Sequence, residues 1–458
     1  MLRLGLLIPQ FPSQTHIAMW RVGHAMRELG ADVRFISTRR PEARERCHRV
    51  LEDESTRTFY AWPPAPGSLA AECVRALPHA HRGIGYYASL RESSLRERAA
   101  LAPLLLSALN LRAFARREGL RHIFVHSCAN AAHLVALCHR LGGPSYSLRL
   151  GGDIEVYGKD QRSKMARASF ILAAARVNVE QIREQVGLPD DRLLWSWLGV
   201  DTRRFRPPAE ADRQQRKDPA FHAVSVGRVH RAKGHIHALR AMRRLVHDEG
   251  LDLRYTIGGS GPGEAEVRQH IGELGLTDRV TLIGALDEER VIATLQSADV
   301  FLLPSVGRGE ASPVAVIEAM ACGVPVIASI IGGTGDMVTD GVDGFLTPMG
   351  DEGAIAGAWR RIATEPALHA RLAASARARA EKDFDCRQIG RKVLDRVALE
   401  LGIPMHVPDV SEDGRAAVPR PLPARSPARR RPEGAAGPTT ETEEVAVQAT
   451  VPGGNGSA

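Results

Sequence analysis

Short apolar runs alternate with stretches of helical spacing along most of the chain. Leu4–Ile8, Val33–Ser37, Ile123–His126 and Tyr146–Leu150 read as buried strands, as do Ala223–Val226, Tyr255–Ile257, Val280–Ile283, Val300–Leu303 and Val324–Ala328. Each is followed by a loop or a helical pattern, which predicts two doubly wound α/β domains built on parallel sheets. The polar, Pro-flanked stretch 206–220 parts the two series and reads as a linker. Residues 1–205 then form the first domain and 221–384 the second. A last helix over 385–403, capped by Asp385, is expected to cross back, and 404–458, poor in large apolar groups, reads as a disordered tail.

The chain has 458 residues, enough for two full cores and a remainder. No stretch has the apolar length of a membrane span, and Met1–Ile8 reads as a first strand, not a signal peptide. Six cysteines without paired short spacing argue against a disulfide or metal framework and fit a reducing cytoplasm. The net charge of +8 is concentrated at one end: residues 1–205 carry +11 and 206–404 carry −2. This basic half suits anionic partners, including peripheral contact with an anionic membrane surface at the inner face of the cell membrane. Aromatic residues make up only 5%, and no nucleic-acid module is present, so nucleic acid is not an expected partner. Residues 91–119 combine an apolar centre with basic ends, which a membrane surface could use; packing of those leucines against the sheet explains them at lower cost.

Candidate chemistry gathers at strand ends in the second half. Glu310 lies in the loop after Val300–Leu303, and Glu318 lies eight positions on, in a helix that Ser312 caps, Pro313 starts and Gly323 closes. Gly227, Arg228 and Lys233 lie between the strand Ala223–Val226 and a helix amino terminus, an arrangement suited to a diphosphate. The run Gly258–Gly263, with Gly259 and Gly261, is either a ligand-approach turn or a tight strand-to-helix turn. Gly332, Gly333 and Asp336 read as structural or capping, and Gly341–Thr347 as a turn. Asp383-Phe384-Asp385 has a D-x-D form, but its helical context favours capping. In the first half, His16 follows the first strand, His126 ends the strand Ile123–His126, and Arg149, Asp153 and Glu155 follow Tyr146–Leu150.

The spacing from Glu310 to Glu318, with Gly-Arg, Lys-Gly and Gly-Val-Pro-Val around it, resembles the E-x7-E signature of family 4 retaining glycosyltransferases. The likeness covers residues 1 to about 400, strongest over 223–347, and is greatest to bacterial exopolysaccharide and colanic-acid-type enzymes. It implies the GT-B fold, two Rossmann-like domains facing a cleft, and transfer of a sugar from a UDP- or GDP-sugar to a glycan or lipid-linked hydroxyl with retention. Glu310 would approach the donor sugar, Glu318 the ribose, and Arg228 and Lys233 the diphosphate. Ala311, Ser312, Pro313, Gly227, Gly259, Gly261 and Ile283 would line the donor, with His16, His126, Arg149 and Asp153 on the acceptor side. No metal and no cofactor beyond the nucleotide-sugar substrate is implied. One departure stands out: the His that family members carry after the strand matching Tyr146–Leu150 is absent here. A GT-B epimerase and a nucleotide-sugar-binding protein without transferase activity are the alternatives.

Overall fold

The computed structural model describes residues 2–13, 16–41, 52–64, 66–209, 220–307 and 310–404. The expected tail from 405 and the central part of the linker, 210–219, lie outside the described residues, as does Thr15 before the first helix. Two parallel sheets are present. The first comprises β1 (Arg3–Leu7), β2 (Asp32–Arg39), β3 (Phe59–Trp62), β4 (His122–His126), β5 (Ser145–Leu150), β6 (Ile171–Ala173) and β7 (Leu193–Trp195), in the order β3-β2-β1-β4-β5-β6-β7. The second comprises β8 (Phe221–Val226), β9 (Leu253–Gly258), β10 (Val280–Leu282), β11 (Val300–Leu303), β12 (Val326–Ser329) and β13 (Gly344–Thr347), in the order β10-β9-β8-β11-β12-β13. All their pairings are parallel. β1 and β11 are apolar on both faces because helices cover both, as doubly wound sheets require.

The order reverses between β1 and β4 in one sheet and between β8 and β11 in the other. Those reversals open a crevice at the strands' carboxyl ends, where such sheets take ligands. Gly341–Thr347, expected as a turn, is a turn only in its first part. Gly344–Thr347 pairs with β12 in register Val326 to Gly344, which buries Phe345.

The halves are joined by more than the linker. The helix Cys386–Leu401 begins at Asp385, whose carboxylate accepts from Arg387 N at 2.8 Å, and packs on the helix Ile17–Glu28 of the first domain. Arg387 reaches Glu28 at 3.0 Å and Asp201 at 3.0 Å. Phe205, Phe384, Val22, Ile389 and Val316 belong to a single apolar cluster running through both halves, all within the compact unit Met1–Met405. Among the described residues no helix is long and apolar enough to cross a membrane.

Candidate functional site

The two strands flanking the reversal in the second sheet deliver the central polar pair. β8 leads into Gly227–Gly234 and β11 into the segment that reaches Glu310; Val306 N donates to Ala232 O at 2.8 Å, stitching the loops together. Gly234 packs its backbone on Pro304, where any Cβ would meet the Pro304 carbonyl oxygen at 1.9 Å. Held in this way, Lys233 Nζ donates to Glu310 Oε1, which also accepts from Ser305 Oγ at 3.0 Å. The Glu310 side chain is 9% exposed and that of Lys233 28%, so the pair is screened only in part from solvent. Arg228 lies exposed beside it, with no ion pair among the described residues. The helix His235–Arg243 starts directly after Gly234, so its unsatisfied N–H groups add to the cationic character of this corner.

The glycine turn after β9 serves this corner in another way. Gly227 N donates to Gly258 O at 2.9 Å, Val229 N to Ser260 O at 3.0 Å and Gly263 N to Val229 O at 3.1 Å. Gly259, at φ +141°, has the Gly227 carbonyl oxygen 1.8 Å from where a Cβ would stand. Its close approach is therefore to the Gly227 loop, and Gly261 likewise abuts Val229 O. Ile283 stands just past β10, its N–H on Ile257 O at 3.1 Å.

The helix carrying Glu318 runs Val314–Ala321, one residue later than the sequence suggests. Pro313 is its cap residue, and Ser312 Oγ, expected to cap it, is buried without a hydrogen-bond partner among the described residues. Ala311 is fully buried, and its carbonyl faces Gly333, where a Cβ would meet it at 1.9 Å. Gly333 N donates to Glu310 O at 3.1 Å, so the Gly332-Gly333 turn shapes the Glu310 backbone. Asp336 accepts from Arg176 N of the first domain at 3.2 Å, a contact between the halves and not a cap of its own helix. Glu318 is buried, and one carboxylate oxygen is taken by Arg21 of the first domain at 2.7 Å. Sequence spacing cannot reveal this partner: the two residues are 297 positions apart.

The first sheet's reversal brings His16 and His126 together, from the loop after β1 and the end of β4. Their rings meet edge to face with centroids 5.5 Å apart, and His16 Nδ1 hydrogen bonds with Ser13 Oγ at 2.8 Å. Burial pushes the His16 imidazole down to about 4. Burial first, then the neighbouring His16 and Arg149 charges, holds His126 well below its usual range. Both are neutral near pH 7, and His126 Nδ1 has no hydrogen-bond partner among the described residues. Arg149 is fully buried and donates to Ser196 O at 2.8 Å, so it stands behind the cleft wall and acts on His126 before it could act on a ligand. Asp153 is half-buried where Ile154–Tyr157 begins, and Glu155 is exposed. The resemblance expects a His at Leu150, Gly151 or Gly152; a Cβ on Gly151 would lie 3.4 Å from His126 Cε1 and from the Tyr157 hydroxyl. A separate hollow of about 500 Å³, lined by Phe221, Leu253, Ile362 and His369, opens at the opposite, amino-terminal ends of β8 and β9.

Residues 208–379 match the family described as Glycosyl transferases group 1. This stretch is a group 1 glycosyl transferase domain. The domain holds Lys233, Glu310 and Glu318, whereas His16, His126 and Arg21 lie outside it. The chain is 36% identical over 221 residues to the putative colanic acid biosynthesis glycosyltransferase WcaL of Escherichia coli K12, which covers 46% of this chain and 52% of that protein. It is 30% identical over 253 residues to the amylovoran biosynthesis glycosyltransferase AmsK of Erwinia amylovora, covering 54% and 60%. The chain thus spans between about half and three-fifths of these curated relatives. A crystal structure of Anabaena HepE in complex with UDP superposes with a TM-score of 0.66 at 18% identity, covering 87% of this chain and 100% of that one. At that identity the likeness establishes the fold, which is GT-B.

Proposed function

We propose that the protein is a retaining glycosyltransferase of exopolysaccharide or cell-envelope glycan synthesis, moving a sugar from a UDP- or GDP-sugar to a hydroxyl of a glycan or lipid-linked acceptor. The observation that carries this is the contact of Lys233 with Glu310 across the reversal of the group 1 domain, beside the exposed Arg228. A donor diphosphate entering there meets two cations and a helix amino terminus, and a sugar beyond it meets Glu310. Charge-assisted hydrogen bonds of this kind contribute about 1.5–3 kcal/mol each. As the C1–O bond to the diphosphate breaks, charge grows on the departing oxygen, which Arg228 and Lys233 stabilise. The acceptor oxygen bonds to C1 on the same face and its proton passes to the departing phosphate. The scheme requires no metal. His126, neutral and with an Nδ1 that has no partner among the described residues, would face the acceptor side of the donor sugar.

A lipid-linked acceptor is supported by one face of the first domain. Val74, Leu77, Ile84 and Leu95 are 65% to 82% exposed in a stretch whose Ala76, Gly83 and Tyr86 are buried. Arg82, Arg91 and Arg96 are exposed among them. Exposed apolar side chains interspersed with arginines along the chain suit an anionic lipid surface. Binding to phosphatidylglycerol vesicles, absent with phosphatidylcholine and abolished by Ile84→Asp with Leu95→Asp, tests that docking.

The transfer reaction is tested by incubation with UDP- and GDP-sugars, with and without polyprenyl-diphosphate-linked glycan acceptors. Acceptor-dependent release of nucleoside diphosphate with an α-linked product from an α-linked donor is expected. Release together with an altered free sugar, or tight donor binding with no turnover on any acceptor, would sink the reading.

A further inference from the structure

Arg21 lies on the helix Ile17–Glu28 of the first domain, yet its charge is spent on the second. Its Nη1 donates to Glu318 Oε1 at 2.7 Å, and its Nε and Nη2 donate to Glu288 Oε2 at 2.9 and 2.8 Å. The guanidinium also lies 4.5 Å over the ring of Phe205, in the segment that joins the halves. Arg204 takes the other oxygen of Glu288. The three side chains Arg21, Glu288 and Glu318 are 3%, 4% and 8% exposed. A rigid fork with several donors can serve two carboxylates at once, whereas a lysine ammonium on a flexible stem cannot fix both.

This placement does more than join two domains. Glu318 faces Arg21 from the first helix, Glu288 from the helix Glu288–Gln296, and Cys322 at the end of its own helix, with Arg377 beyond the thiol. Burial raises the Glu318 pKa, Arg21 opposes this, and Glu288 adds to the rise. Arg21 is the only cation bonded to Glu318 among the described residues. Without it two carboxylates would share a dry site, and one would take up a proton.

We propose that Arg21 is a positioning residue for the donor site: from the opposite domain it keeps Glu318 charged and fixes one carboxylate oxygen, so that the other accepts from the donor's ribose hydroxyls. This rests on the donor reading of Glu318 above. It makes nucleotide-sugar binding, otherwise a property of the second domain, depend on a side chain of the first.

The test is UDP-glucose binding by titration calorimetry across pH, on variants shown to be folded by thermal melting. Arg21→Met alone leaves Glu318 without a bonded cation among the described residues, beside a Glu288 still paired with Arg204, and can fail to fold, so the informative variant is Arg21→Met with Glu288→Gln, which leaves Glu318 as the single acid of this cluster. Relative to the native protein, its affinity should fall roughly tenfold further as pH is lowered, because burial raises the Glu318 pKa and Arg21 no longer opposes the rise. Arg21→Lys, which restores the charge, should return the native pH profile while remaining weaker. A folded double variant whose affinity follows the native pH profile would overturn the role of Arg21. If Glu318→Ala binds UDP-glucose as the native protein does, the donor assignment of Glu318 falls, and this role with it; weakened binding there beside a native profile in the double variant refutes Arg21 alone.

Discussion

Gly259→Ala separates a residue that shapes the Gly227–Gly234 corner from one that merely lines it. A Cβ at this position would stand 1.8 Å from the Gly227 carbonyl oxygen, whereas real Cβ contacts essentially never fall below 3.0 Å, so the two backbones must part by about 1.2 Å. Neither partner is a flexible side-chain end that could swing aside; both are backbone, tied by Gly227 N to Gly258 O and Gly259 N to Gly284 O. Overpacking of this kind costs about 1–3 kcal/mol. The φ of +141°, which an L side chain rarely adopts, adds about 1–3 kcal/mol. The total, about 2–6 kcal/mol, corresponds to a fall in melting temperature of roughly 5–20 °C for a domain of this size. Because the displaced loop carries Arg228 and Lys233, a shift near 1 Å should also cost about 100-fold in donor turnover. Gly272→Ala is the control: its Cβ would meet nothing within 4 Å in the helix Glu264–Glu273, so it should stabilise by about 0.5–1 kcal/mol and leave turnover alone. Thermal melts and UDP release from UDP-glucose measure both. A Gly259→Ala protein with native melting and native turnover would refute the argument.

Acid should unfold the protein through its buried histidines. Burial pushes His122 and His133 down to about 3, and His16 and His235 to about 4, whereas the unfolded chain binds these protons near the ordinary 6.5. Their contribution is whole above about pH 6.5 and is lost as pH falls toward 3–4, at about 1.4 kcal/mol per histidine by pH 5.5; urea melts with equal stability at pH 7 and 5 would contradict it. Lys233→Met leaves Glu310, among the described residues, only the Ser305 hydroxyl as a side-chain partner and should cost about 1–2 kcal/mol of stability, discounted for the exposure of Lys233. It should also lower kcat about 100- to 1,000-fold, whereas an equal loss in affinity for free UDP would make Lys233 a uniform binding residue. Asp385→Ala removes the cap on Arg387 N and the Thr202 hydroxyl bond, and should cost about 1–2 kcal/mol in a thermal melt; an unchanged midpoint would remove Asp385 from the junction.

The strands legible in the sequence are those with an apolar run of about four residues bounded by turn signals. β1, β8 and β11 announce themselves through continuous apolar runs, and their carboxyl ends fix where Lys233 and Glu310 must stand. β3 was not legible because Phe59 and Tyr60 are only part-buried and Trp62 is exposed at the sheet edge, and β6 and β7 are three residues each. β13 hid behind the glycines of the turn that precedes it. At the site, the meeting of Lys233 with Glu310 follows from topology once β8 and β11 are neighbours. The hold of Arg21 on Glu318 does not, because a contact across 297 positions between two domains leaves no local periodicity. The glycines after β9 carried a signal for close approach but none for its object, which proved to be another turn of the chain.

The helix Cys386–Leu401 gives the order of synthesis a consequence. Its partner, Ile17–Glu28, is made early, and Glu28 meets Arg387 only 359 positions later. At about 5–20 residues per second, Val22 and Met26 wait on the order of 20 to 70 s for the side chains that cover them. During that interval the nascent first domain presents an apolar stripe to its surroundings. Completion of the amino-terminal half is therefore an event of late translation, and a ribosome stalled after the second sheet would hold a domain open to chaperone capture.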